Sequence, residues 1–330
     1  MSDLEYRKAI RDAIDEELTR DESVIFYGED VAVAGGVFAA TPGLMETHGR
    51  NRVFDTPISE LAIAGSAFGA AVTGLRPIIE IMFGDFLYLA MDSLLNQSAK
   101  FFFISNEQAG VPLVVRSAVG AGGRFGAIHS QMPISWFQNV PGIKIVAPSN
   151  SGDAKALLKG AIRDDNPVLF LEHKKLYGVK DPEPTDEVLP LGKAAIAREG
   201  ADVTLVSASK GVRDCLEAAE SLAGEGIDAE VVDLRTLRPL DFETVLSSVE
   251  KTNRIVVVEE NAALGGWAAN LLGIVADRAL HDLDDAWVIA SPETPIPYSP
   301  TLEDDFLPSG DSIAAEVLAR LGTPTSGTAG

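Results

Sequence analysis

Apolar residues recur at helical spacing over residues 4–18, and this spacing predicts an amphipathic helix at the start of the chain. A short apolar run at 24–28 predicts a strand, and 35–48 reads as a glycine-bearing loop. Residues 61–73 predict a helix built largely from small side chains and ended by Gly74. A strand over 77–83 and a helix over 87–102 follow. Three further apolar runs, 111–116, 143–148 and 168–172, predict strands, with a helix over 153–163 between the last two. Strands that alternate with helices in this way imply a mostly parallel sheet covered on both faces.

Residues 181–191 hold three prolines and several acids, so a linker is expected there. The alternation then restarts. Strands are expected at 203–207, 229–234, 254–259 and 287–290, and helices at 211–223, 242–250, 267–280 and 311–321. This is a second, smaller α/β domain. The tail 323–330 is small and polar and is expected to be disordered. No internal repeat is visible.

Composition narrows the function classes. The 330 residues are 46% hydrophobic, enough for two buried cores, and the net charge is −22. So acidic a surface repels phosphate backbones, which argues against a nucleic-acid partner and leaves a basic protein patch as the complementary surface. The one cysteine, Cys215, allows neither an internal disulfide nor a cysteine-based zinc site. It falls in a helical pattern and is expected to be a packed core thiol. The first 20 residues are charged and do not read as a signal peptide, and the run 61–75 is too short to span a bilayer. A reducing cytoplasm is the expected location, with no membrane partner.

Three features carry candidate chemistry. Glu60 opens the small-residue helix that includes Gly65, Gly69 and Ala70. A carboxylate there either simply favours the positive end of the helix dipole, or is a partly buried acid able to share a proton with a heterocycle. His129 follows a glycine-dense loop (Gly120, Gly122, Gly123, Gly126) after the strand over 111–116, hence at the C-terminal edge of a parallel sheet, where ligands bind in such folds. It is either a satisfied loop histidine or a proton donor and acceptor. Met82, Phe83 and Phe86 bracket Gly84 after the strand over 77–83, either as plain core or as a platform for a flat ring. No histidine pair has metal-ligand spacing. There is no Walker loop and no G-x-G-x-x-G. Gly84-Asp85 lacks the second glycine of a diphosphate–magnesium motif, and Asn96 follows too soon for one. Proton-transfer and stacking groups are present, then, but no phosphate cradle.

The strings Gly28-Glu29-Asp30-Val31, Arg52-Val53-Phe54-Asp55-Thr56-Pro57-Ile58-Ser59-Glu60, Gly74-Leu75-Arg76-Pro77, Ala127-Ile128-His129-Ser130-Gln131 and Val140-Pro141-Gly142 resemble the beta subunits of thiamine-diphosphate-dependent 2-oxo acid dehydrogenases. The resemblance continues through Asp165-Asn166-Pro167-Val168 and Leu176-Tyr177-Gly178. It then runs through Asp233-Leu234-Arg235-Thr236-Leu237-Arg238-Pro239-Leu240-Asp241 and Glu259-Glu260, and covers residues 3–321. It implies a transketolase-like α/β fold, with a parallel-sheet pyrimidine-binding domain at 1–180 and a smaller α/β C-terminal domain at 192–322. It also implies an alpha2–beta2 heterotetramer that shares thiamine diphosphate at the alpha/beta interface, with magnesium and the diphosphate held by the alpha subunit. Under the resemblance, Glu60 bonds the pyrimidine N1′ and favours its imino tautomer. Phe86 stacks on that ring with Met82 at the cofactor, and His129 orders the intermediate and moves protons beside the reaction centre. The carbonyls of Leu113, Ala161 and Asp164, with Asn166, would hold a structural potassium ion.

The implied activity is oxidative decarboxylation of a small 2-oxo acid, pyruvate first, with acyl transfer to a lipoyl-bearing acyltransferase core. The alternatives are acetoin or a branched-chain 2-oxo acid as substrate, a non-oxidative carbon–carbon transfer, and a non-catalytic assembly subunit. Two departures bear on substrate and acceptor. Met132-Pro133-Ile134 stands where relatives often carry Ser-Leu-Glu, and Ser207-Ala208-Ser209-Lys210 stands where Tyr-Gly is frequent.

Overall fold

A computed structural model describes residues 3–182 and 188–322, and the expected disorder of 323–330 falls outside the described residues. The chain divides into two compact units. One comprises Met1–Gly192 with Arg235–Pro239, and the other Lys193–Leu234 with Leu240–Gly330.

In the first unit β1 (Asp3–Glu5) leads into α1 (Tyr6–Arg20), then β2 (Val24–Gly28), α2 (Leu44–His48), β3 (Val53–Asp55) and α3 (Glu60–Val72). Next come β4 (Arg76–Phe83), a 3-10 turn (Gly84–Ala90), a π-helical stretch (Asp92–Ser98) and α4 (Ala99–Ile104). After these run β5 (Val114–Val119), α5 (Ile134–Gln138), β6 (Lys144–Val146), α6 (Ser151–Arg163), β7 (Val168–His173), a 3-10 turn (Lys174–Leu176) and β8 (Lys180–Pro182). Every residue of β5 and β7 is buried, as expected of strands covered on both faces. The helix expected over 87–102 is instead divided. The Ser98 hydroxyl donates to the carbonyl of Ser93 at 2.9 Å, five residues back, which matches the wider π turn. Strand β5 begins beyond Pro112, which has no N–H for a ladder.

The second unit holds β9 (Ala195–Arg198), β10 (Val203–Ser207), α7 (Lys210–Gly224) and β11 (Ala229–Asp233). After β12 (Thr236–Arg238), which belongs to the first unit, it continues with α8 (Phe242–Thr252), β13 (Arg254–Ala262), α9 (Trp267–Ala279), β14 (Asp285–Ser291), α10 (Pro300–Phe306) and α11 (Gly310–Leu321). Its sheet runs β14-β13-β10-β11-β9, parallel except for the edge strand β9. Cys215 is fully buried in its core against Val212, Ala219 and Val256, and burial pushes its thiol well above the ordinary range.

The first unit's main sheet has the order β12-β6-β7-β5-β4-β2-β3, and only β12 is antiparallel to its neighbour. Residues 181 and 182, expected in a linker, are tied to this unit: β8 pairs with β1, and the Asp181 carboxylate accepts from Ser151 N at 3.0 Å at the start of α6. Strand β12, from the stretch expected in the second domain, pairs with β6 instead. Arg235 also grips Asp153 of the first unit through two bonds of 2.7 and 2.8 Å. The chain visits β2 and β3 on one side and β4 onwards on the other, so the order reverses between β2 and β4. In open α/β sheets the crevice outside the carboxyl ends at such a reversal is where ligands bind.

Candidate active site

The parallel strands β2, β3, β4, β5 and β7 all end at one edge, and each leads into a segment that carries residues with chemistry. Glu29 follows β2, Glu60 comes soon after β3, Phe86 follows β4, His129 lies in the loop after β5, and Lys174 follows β7. The register explains their gathering, because a parallel sheet delivers every strand's C-terminal loop to the same side.

The loop after β2 is held by Asp55 at the end of β3. Its carboxylate accepts the backbone N–H groups of Ala32 at 2.7 Å and Val33 at 3.1 Å. This sets Glu29 at the edge, 9% exposed, with Oε1 lacking a hydrogen-bond partner. Burial, and then the nearby negative charges of Glu60, Asp30 and Glu80, push the Glu29 carboxyl up from its ordinary value. Glu60 is the first residue of α3 and is 8% exposed. Among the described residues no donor hydrogen-bonds to its carboxylate. A buried acid left without a protein donor fits a ligand that brings one. Helix α3 packs on the 3-10 turn and the π stretch, and a Cβ added at its Gly65 would meet Ser93 Oγ at 3.4 Å.

On the other side of the reversal, β4 shifts register between Ile81 and Phe83, so Met82 falls at a bulge and is half-buried. Phe86 is half-buried in the 3-10 turn that follows. His129 lies edge-on to two rings, with centroids 4.8 Å from Phe83 and 5.3 Å from Phe86. Asp85 Oδ1 accepts from Gln131 Nε2 at 2.7 Å, and Tyr88 donates to Gln131 Oε1 at 3.4 Å, which ties the His129 loop to the 3-10 turn. Asp85 Oδ2 is buried without a partner. Lys174 Nζ donates to the His129 carbonyl and sits 5.4 and 5.1 Å from the ring centroids of Phe83 and Phe125.

The potassium set lies elsewhere, near the end of α6. The carbonyl oxygens of Leu113, Ala161 and Asp164 each accept one hydrogen bond, from Val168 N, Asp164 N and Arg76 Nη2. Asn166 Nδ2 donates to Asp164 Oδ1 at 3.3 Å. Ala161 lies in the last turn of α6, where carbonyls carry the helix's negative end, while Arg76 already places a guanidinium on the Asp164 carbonyl. Among the described residues no group of three or more His, Cys, Asp or Glu could hold a metal ion.

Several residues at or under this edge escaped the sequence patterns. Glu29 had a signal, since it immediately follows a predicted strand. Asp85 was visible only as part of a failed phosphate motif. Lys174 and the buried Arg116–Glu80–Glu172 cluster depend on strand register, which one-dimensional periodicity does not carry.

Two domains built on mostly parallel sheets are the architecture of transketolase-type chains. The family described as Transketolase, pyrimidine binding domain matches residues 2–180, and Transketolase, C-terminal domain matches 192–313. Among curated relatives, the chain is 47% identical over 324 residues to the acetoin:2,6-dichlorophenolindophenol oxidoreductase subunit beta of Cupriavidus necator, covering 94% of this chain and 96% of that one. It is 44% identical to the pyruvate dehydrogenase E1 component subunit beta of Rhizobium meliloti, covering 97% and 70%. It is 44% identical to the 2-oxoisovalerate dehydrogenase subunit beta of Bacillus subtilis, covering 96% and 98%. A solved structure titled "Split gene transketolase, inactive beta4 tetramer" superposes with a TM-score of 0.79 at 21% identity, over 97% of this chain and 99% of that one, and shows the shared fold. The chain belongs to the transketolase-like family of dehydrogenase E1 beta subunits. Among the described residues no helix is long and apolar enough to cross a membrane.

Proposed function

We propose that this chain is the proton-handling half of a thiamine-diphosphate-dependent 2-oxo acid dehydrogenase in the cytoplasm, and that it works in an alpha2–beta2 assembly. The observation that supports this best is the gathering of Glu60, Phe86 and His129 at one edge of the parallel sheet, beside an order reversal. Bound thiamine diphosphate would supply the carbanion-stabilising chemistry that no side chain provides. Glu60 would hold a proton on the pyrimidine N1′, and its lack of a donor among the described residues suits that bond. Phe86 would stack on the ring beside Met82. His129, held edge-on between Phe83 and Phe86, would pass a proton on the acceptor side as the acyl group leaves for a lipoyl group. An alpha subunit would bring the magnesium and the diphosphate grip, since no phosphate-binding motif occurs in this chain. A potassium ion on Leu113, Ala161, Asp164 and Asn166 would be structural.

Pyruvate is the first substrate of this reading. Acetoin is the second, favoured by identities of 47% and 45% to acetoin-oxidising beta subunits. The test is to combine the chain with its alpha subunit, thiamine diphosphate and magnesium, and to follow dye reduction and lipoyl-domain acylation. Pyruvate, branched-chain 2-oxo acids and acetoin form the substrate panel. Turnover that requires both chains supports the reading, and no turnover on any member of the panel overturns it.

A further inference from the structure

We infer that Lys174 is the positioning residue of the His129 loop. The inference rests on the proposed role of His129 at the acceptor side, and it assigns the placement of that imidazole to a cation in the turn after β7. Lys174 begins the 3-10 turn after β7 and is 8% exposed. A buried ammonium has to exchange its water for other electron-rich partners. Three are in place here: the carbonyl of His129 itself and the faces of Phe83 and Phe125 at 5.4 and 5.1 Å.

The three contacts converge on one imidazole. Phe83 lies edge-on to the His129 ring at 4.8 Å. Phe125 contacts Phe83 at 6.0 Å, and it belongs to the same loop as His129. One ammonium thus holds the backbone at residue 129, the ring against which that imidazole leans, and a second ring of the loop. The loop needs such a hold. Gly120, Gly122, Arg124 and Gly126 all have positive φ, and the amide of His129 reaches Gly126 O only at 3.5 Å. The Asp85–Gln131 bond anchors it on one side of His129, and Lys174 anchors it on the other.

The test uses the assembled alpha–beta enzyme carrying K174M, K174R or H129A. K174M keeps most of the apolar stem and removes the charge and the donors, whereas K174R retains both. Deuterium exchange over residues 120–133 reads the loop directly. Kinetics separate dye-coupled decarboxylation from acylation of a lipoyl domain. The expected result is exchange at least about tenfold faster in K174M, with lipoyl acylation kcat lower by about ten- to a hundredfold. K174R restores most of the loss. Wild-type exchange in K174M overturns the inference. So does faster exchange with unchanged acylation, provided H129A abolishes acylation. If H129A itself acylates at the wild-type rate, the proposed role of His129 fails, and the exchange data alone then decide whether Lys174 holds the loop.

Discussion

Arg116 on β5 grips Glu172 on β7 through two parallel hydrogen bonds, Nε–Oε1 at 2.7 Å and Nη2–Oε2 at 2.8 Å, with both side chains buried. Register sets this up. Glu80 on β4 is the direct partner of Arg116 and bonds it at 2.7 Å, while Glu172 lies two residues past Phe170, its partner on β7. Two carboxylates therefore share one guanidinium, with the Tyr177 hydroxyl donating to Glu172 at 2.9 Å. Burial pushes the Glu80 carboxyl up against the pull of Arg116. Removing the cation strands both acids, so R116M should cost about 3–5 kcal/mol. E80Q/R116M/E172Q should recover a large part of that. Denaturant midpoints of the three proteins check it, and an R116M midpoint equal to wild type would refute it.

Gly120 follows β5 with φ +89°, and a Cβ there would lie 2.1 Å from His173 Nε2. G120A should destabilise by about 1–3 kcal/mol through the backbone alone, with the clash added. G120A/H173A should regain only the steric part. Thermal melts that place the double variant at wild-type stability would contradict the assignment of a backbone component.

Glu259 carries a pH signature. Burial pushes its carboxyl up to about 7, although Ala268 N donates to it at 3.1 Å and Oε2 has no partner. The folded chain then binds this proton more tightly than the unfolded chain, whose carboxyl keeps its ordinary value of 4.5. Its contribution is full below about 4.5 and is lost as pH rises through about 7. Stability of wild type relative to E259Q should therefore fall by on the order of 3 kcal/mol between those limits and then level off. Unfolding free energies of the two proteins across that range test this, and a difference independent of pH would exclude it.

The proposed potassium site predicts ion-specific stabilisation. Melting in potassium chloride should exceed melting in sodium chloride at matched ionic strength, and the gain should grow with concentration as a ligand's does. N166A should lose it. Equal midpoints in the two salts would remove the ion from the account.

Much of the fold was legible in the hydrophobic pattern. The covered strands β4, β5 and β7 read as apolar runs in spite of Glu80, Arg116 and Glu172 within them, and Glu60, Phe86 and His129 each come after such a run or open the next helix. The pattern was blind where an element is too short to show a period, as with β1, β3 and β12. It was blind again where pairing is remote in sequence: β12 joins β6 across about ninety residues. The π stretch at 92–98 keeps helical apolar spacing, so the hydrophobic pattern does not reveal it. Lys174 carries no motif, and its relevance comes from the register that delivers the turn after β7 to the same edge.

The most direct test of the central claim is E60Q in the assembled alpha–beta enzyme, with the alpha subunit, thiamine diphosphate and magnesium present. Glutamine keeps the shape and place of Glu60 at the start of α3 but cannot share its proton. The expected result is an intact assembly with unchanged melting and a kcat lowered by about 10²–10⁴-fold. An E60Q assembly that turns over at the wild-type rate would contradict the account.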